Sequence, residues 1–141
     1  MQIQVKKLDP RAKLPSYALE HDAGLDLCVL DDVILPAGKV VTKIRTGVAI
    51  AIPDGYVGLC WDKSGLAANH GLKTMAGVID SGYRGELLLT LFNASDKDYS
   101  FKSGDKIMQL LIQPVARVEV VETNELSPSQ RADGGFGSTG E

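Results

Sequence analysis

Short apolar stretches, punctuated by glycine, proline, aspartate and asparagine, run along nearly the whole chain, and helical periodicity is scarce. IQV opens the series, and LDLCVL, DVILP, VVTKI and GVAIAIP follow. Beyond the PDG turn at 53–55 come YVGLCW, GVID and ELLLTLFN, then KIMQLLIQPV and RVEVVE. SDKDYS, at 95–100, reads as a turn. Runs of Val, Ile and Leu spaced by turn residues predict many short strands. The expected architecture is all-β: a sandwich, barrel or jelly roll. One short helix is predicted at Ser64–His70, where SGLAANH offers a serine cap and good helix formers. No internal repeat is visible. From Thr123 the composition turns polar, which predicts a β domain over residues 1–122 and a flexible arm over 123–141.

The arm ends in RADGGFGSTGE, with four glycines between Gly134 and Gly140. A frayed terminus is one reading of such a stretch. The other is a phosphate cradle, because backbone N–H groups approach an anion most closely where side chains are missing. Arg131 and Phe136 weigh toward the second. It is not a Walker A loop, since Glu141 stands where the lysine belongs.

With 141 residues the chain suffices for one domain and hardly for two. A hydrophobic share of 44% against 23% charged is an ordinary globular balance, which excludes disorder of the whole chain. A net charge of -3 argues against a general nucleic-acid binder, though not against a local basic pocket for a polyphosphate. Cys28 and Cys60 make neither a disulfide framework nor a zinc site, and read as buried thiols in a reducing compartment. His21 and His70 stand apart, so a histidine metal site is not expected. MQIQVKKLDP lacks the apolar core of a signal peptide, and no apolar run approaches membrane-spanning length. A cytoplasmic protein without a membrane partner is expected.

Several segments carry possible chemistry. AGVIDSGYRGE, Ala76 to Glu86, reads as a hairpin with Asp80 and Tyr83 at its tip. Asp80 either caps the turn or serves as a general base for water. In DKSGLA, Asp62 to Ala67, a cation, a hydroxyl and an open backbone N–H offer three donors to phosphate, or else cap a helix. AGLDL places the lone carboxylate of Asp26 in an apolar strand, and GDKIMQLL places the lone amide of Gln109 in another. Polar groups in such runs need partners.

Taken in order, AGLDL, GLCWDKSGLA, AGVIDSGYRGE, GDKIMQ and RADGGFGSTG resemble the five motifs of the trimeric dUTPase family, from about Ala23 to Gly140. The resemblance implies a β-jelly roll, assembled as a homotrimer with shared sites, that hydrolyses dUTP with Mg2+ to dUMP and pyrophosphate. It implies that Asp26 holds the metal through water and that Asp80 activates the attacking water. Lys63, Ser64, Gly65 and Gln109 would grip phosphate. Tyr83 would pack under the deoxyribose, and the backbone of Gly77, Val78 and Ile79 would read the uracil edge. Arg131 would reach the terminal phosphate, Phe136 would stack on uracil, and Gly137, Ser138 and Thr139 would close over the phosphates. Departures from the family pattern include Lys63 for the usual arginine, Asp62 for the usual proline, Leu25 for tyrosine, Gly82 for an acid and Ala132 for glycine.

Two alternatives are weaker. A dCTP deaminase of related fold would need a glutamate ten residues after Asp80, where Thr90 stands. A non-catalytic jelly-roll binding module has no need of a water-activating acid beside a complete glycine-rich arm.

Overall fold

The computed structural model describes residues 1–129 and residue 133. Ten strands and one helix follow in chain order: β1 Gln4–Lys7, β2 Leu25–Cys28, β3 Val33–Leu35, β4 Val40–Ala51, β5 Tyr56–Asp62, α1 Ser64–His70, β6 Leu72–Met75, β7 Val78–Ile79, β8 Glu86–Asn93, β9 Tyr99–Phe101 and β10 Lys106–Pro114. They form two four-stranded antiparallel sheets, ordered β1-β4-β8-β6 and β2-β10-β5-β7, with β3 and β9 as a separate pair. The all-β expectation holds. Among the described residues, no helix is long and apolar enough to cross a membrane.

Burial alternates along β8, where Leu87, Leu89, Leu91 and Asn93 point inward, as a strand with one face on a core requires. Ile44, Val48 and Ile50 of β4 and Ile107, Met108 and Leu110 of β10 fill the same core. Each fully buried aliphatic side chain contributes about 1.5–3 kcal/mol.

The structure corrects several expectations. VVTKI and GVAIAIP are one twelve-residue strand, β4, with register shifts and with Lys43 at φ 57° and Gly47 at φ 70°. β6 was not legible as a strand, and β9 begins inside the SDKDYS turn. RVEVVE forms no strand among the described residues. Val118, Val120 and Val121 are 78%, 89% and 73% exposed, so their apolar side chains lie outside the core formed by the described residues. Ser64 is the first helical residue rather than the cap; Lys63 occupies the N-cap with no side-chain cap hydrogen bond. Of the two thiols, Cys60 is buried and Cys28 only half-buried.

Asn93 locks one end of the sandwich. Its Nδ2 donates to Leu35 O and Lys97 O, both at 2.8 Å. Its Oδ1 accepts from Ser95 N at 3.0 Å and Ser95 Oγ at 2.7 Å, so its hydrogen-bonding capacity is used in full. Asn93→Ala leaves two carbonyls without their donor. Chemical unfolding should show a loss of about 3 kcal/mol with an unchanged m-value.

Candidate active site

Three remote segments meet at Asp26. β2 lies beside β10, with Gln109 opposite Asp26, and β10 lies beside β5, with Gln109 opposite Trp61. The Asp26 carboxylate is 4% exposed; Lys63 donates to its Oδ1, and the Lys106 ammonium forms an ion pair with it, Nζ lying 2.6 Å from Oδ2. Burial alone would raise its pKa. The two ammonium groups outweigh that effect and hold it below the ordinary carboxylate value. Lys106 stands inside GDKIMQ, but strand pairing, not spacing, brings it to Asp26.

Gln109 lies beside this cluster. Its Nε2 donates to Asp62 O at 2.7 Å. A Cβ at Gly24 would come 2.7 Å from Gln109 Oε1, which gives the glycine of AGLDL a steric reason. Asp62 faces β6 rather than the phosphate-binding candidates. Its Oδ1 accepts from Thr74 N at 2.5 Å and its Oδ2 from Lys73 Nζ at 2.6 Å. Burial would raise its pKa as well, but these two donors bring it below the ordinary value. Ser64 and Gly65 open α1 immediately after Lys63.

The Asp80 segment is not a simple hairpin. β7 pairs with β5 in one sheet, while β8 pairs with β4 and β6 in the other, so the turn at 80–83 carries the chain between sheets. Tyr83 N donates to Asp80 O at 3.0 Å. Arg84 Nη1 donates to Ser81 O at 2.6 Å and Tyr83 O at 2.7 Å, and Tyr83 Oη donates to Glu86 O at 2.8 Å. A Cβ at Gly85 would collide with the Tyr83 hydroxyl. Asp80 and Tyr83 are both exposed, and with Val78, Ile79, Glu86, Leu87 and Leu88 they line a cleft of about 150 Å³.

The entry to β7 is conformationally demanding. Ala76 has φ 62° and Gly77 φ 109°. Gly77 O accepts from Cys60 N at 2.8 Å, and a Cβ at Gly77 would lie 2.8 Å from Cys60 O. A non-glycine residue in the left-handed region beside a cleft is the kind of backbone constraint that functional sites carry.

Among the described residues, no group of three or more His, Cys, Asp or Glu side chains could hold a metal ion. The lone buried carboxylate of Asp26 nevertheless suits magnesium, which keeps much of its water shell and takes its remaining ligands from substrate phosphates. Arg131, Phe136, Gly137, Ser138 and Thr139 lie outside the described residues.

A family model described as dUTPase matches residues 10–140. The chain is 47% identical to the deoxyuridine 5'-triphosphate nucleotidohydrolase of Thermobifida fusca (strain YX), over 99% of this chain and 79% of that one. It is 46% identical to the enzyme of the same name from Hydrogenobaculum sp. (strain Y04AAS1), over 99% of both chains. Its backbone resembles that of the dUTPase of Staphylococcus bacteriophage 80alpha with dUpNHpp, at a TM-score of 0.92 and 31% identity over 99% of each chain. It also resembles a variant dUTPase of phage phi11 of S. aureus, described with a structural Mg(II) ion, at a TM-score of 0.82 and 28% identity over 89% of this chain and 98% of that one. A likeness that extends over almost the full length in both sequence and backbone leaves a single assignment: this chain belongs to the dUTPase family.

Proposed function

We propose that the chain hydrolyses dUTP to dUMP and pyrophosphate by attack of water on the α-phosphate. The observation that carries this reading is the cleft at β7, where Asp80 and Tyr83 meet an edge strand. β7 pairs with β5 on one side only and stands at the end of its sheet order. Its outer backbone groups therefore suit a planar base edge, as an unpaired strand suits an added one. In this reading the backbone of Gly77, Val78 and Ile79 reads uracil and Tyr83 supports the deoxyribose. Tyr83 is braced through its hydroxyl to Glu86, and the turn behind it is pinned by Arg84.

Asp80 is the base. Its carboxylate takes a proton from water as the water oxygen bonds to the α-phosphorus, and the bond from that phosphorus to the bridging oxygen breaks to release pyrophosphate. Lys63, Ser64, Gly65 and Gln109 hold phosphate oxygens, with Asp26 behind them. Asp26 would hold magnesium through water, and the ion, when bound with the triphosphate, would supply neutralisation of phosphate charge. Asp26 is paired here with Lys63 and Lys106, so Lys63 would have to turn from the carboxylate to reach a phosphate oxygen. Arg131, Phe136, Gly137, Ser138 and Thr139 are assigned to closure over the nucleotide by family likeness, as a lid formed by the 123–141 arm.

The reading includes a homotrimer with shared sites. The exposed Val118, Val120 and Val121 just before the arm, and Val78 and Leu88 at 68% and 44% exposure in the cleft, support burial against other copies. The free thiols Cys28 and Cys60 support a cytoplasmic setting.

Asp80→Asn should fold and bind a non-hydrolysable dUTP analogue as the parent does, while product assays show hydrolysis lowered ~10²–10⁴-fold. Parental turnover in that variant overturns the role of Asp80. Deleting residues 129–141 should abolish turnover and leave the thermal midpoint of the free protein near that of the parent. Chains lacking the arm, mixed with Asp80→Asn chains, should regain activity if an arm serves a neighbour's site. The pH dependence of stability gives a separate check. Asp26 titrates below its unfolded value, so its contribution is present above that value and is lost as pH falls through the folded one. Urea unfolding between about pH 5 and pH 2 should therefore show a shallower loss of stability for Asp26→Asn than for the parent.

A further inference from the structure

α1 has seven residues, none of them buried, and its N-cap makes no side-chain hydrogen bond. A helix this short is not stable through its own hydrogen bonds. Something outside it must therefore hold the 63–65 segment in place. At its far end, Gly71 adopts φ 64° and accepts from Ala94 N at 2.9 Å. At its near end Lys63 is tied to Asp26, and Asp62, the last residue of β5, adds a second restraint.

Asp62 closes the excursion on itself. Its carboxylate reaches from β5 in one sheet to Thr74 N and Lys73 Nζ on β6 in the other, so residues 62 and 74 are bonded across the base of the loop that contains α1. Its carbonyl, on the same residue, receives the Gln109 amide. The charge is contained as well. Asp62 is 21% exposed and directly precedes Lys63, where an unpaired carboxylate would repel a polyphosphate; Lys73, 57% exposed and with Nζ 6.0 Å from the Trp61 ring centroid, balances it.

We propose that Asp62 is a positioning residue for phosphate binding: its carboxylate clamps the two ends of the α1 loop together, its carbonyl orients Gln109, and Lys73 keeps its charge from the substrate. The inference rests on the proposed role of residues 63–65 and Gln109 in holding phosphate. Asp62 touches no reacting atom in this scheme. It acts through its neighbours, so its loss shows in KM for dUTP rather than in kcat.

The test uses Asp62→Ala, Asp62→Asn, Lys73→Met and the double variant Asp62→Asn/Lys73→Met in the full chain. Two readouts are steady-state dUTP hydrolysis and amide hydrogen exchange across α1 without nucleotide. Asp62→Ala should exchange α1 amides faster and raise KM about tenfold, the loss of roughly one charge-assisted hydrogen bond, with kcat little changed. Asp62→Asn retains an acceptor for Thr74 N and should recover most of both. Lys73→Met alters an exposed side chain and keeps the fold, so it remains informative if Asp62→Ala does not fold. It should raise KM by exposing the carboxylate, and adding Asp62→Asn should bring KM back down. An unchanged KM in both Asp62→Ala and Lys73→Met overturns the proposal. So does an Asn variant as impaired as the Ala variant, or a double variant worse than Lys73→Met alone. Parent protein that leaves dUTP intact overturns the function proposed above instead, and the exchange measurement still decides whether Asp62 holds the loop.

Discussion

A carboxylate taken out of water between two ammonium groups is the constraint around which the site is organised. Asp26 belongs to β2, Lys106 to β10 and Lys63 to the entry of α1, so one buried charge draws together three segments that are distant in sequence. Such a charge is tolerable only while its partners stay in place. Neither lysine can be lost without leaving Asp26 under-compensated, and loss of Asp26 would set two ammonium groups side by side. The geometry that makes this cluster demanding also gathers the polar groups best placed to meet a polyanion.

The second half of the site depends on backbone rather than charge. β7 is two residues long, and its approach runs through Ala76 and Gly77 at positive φ, tight against Cys60. The turn that follows is bonded to itself through Tyr83 and Arg84. In the proposed reading, base reading and water activation fall to a stiff inter-sheet crossing and closure to the arm, which is reached through a stretch whose Val118, Val120 and Val121 are exposed. Stiffness suits discrimination between bases that differ by a methyl or an amino group; an adaptable cover suits repeated binding and release.

Much of this was legible beforehand, and the reasons differ by residue. ELLLTLFN and KIMQLLIQPV announce strands because one-sided burial imposes its alternation on sequence. SGLAANH marks the extent of α1 through its helix formers, although the serine does not cap it, and Gly71 at φ 64° ends the helix by local geometry. Asp26 and Gln109 stood out because a polar group in an apolar run demands a partner, and each has one. What sequence could not supply was long-range. The identity of Asp26's partners, the turn of Asp62 toward β6, and the split of the Ala76 to Glu86 segment between two sheets all depend on strand order. RVEVVE shows the converse error: its β-branched residues satisfy a strand pattern, but a pattern says only that a segment wants apolar cover, not that its own chain provides it.

The environment of Asn93 also bears on how the molecule ages. Asparagine deamidates when the main-chain nitrogen of the next residue attacks the side-chain carboxamide and closes a five-membered succinimide. Here the nitrogen of Ala94 is engaged with Gly71 O at 2.9 Å, and the carboxamide is held at both its nitrogen and its oxygen. Neither reactant can rotate toward the other without breaking the end of the sandwich. Succinimide closure at this position is therefore coupled to opening of the fold, and isoaspartate at residue 93 would record that a given molecule had at some time come apart.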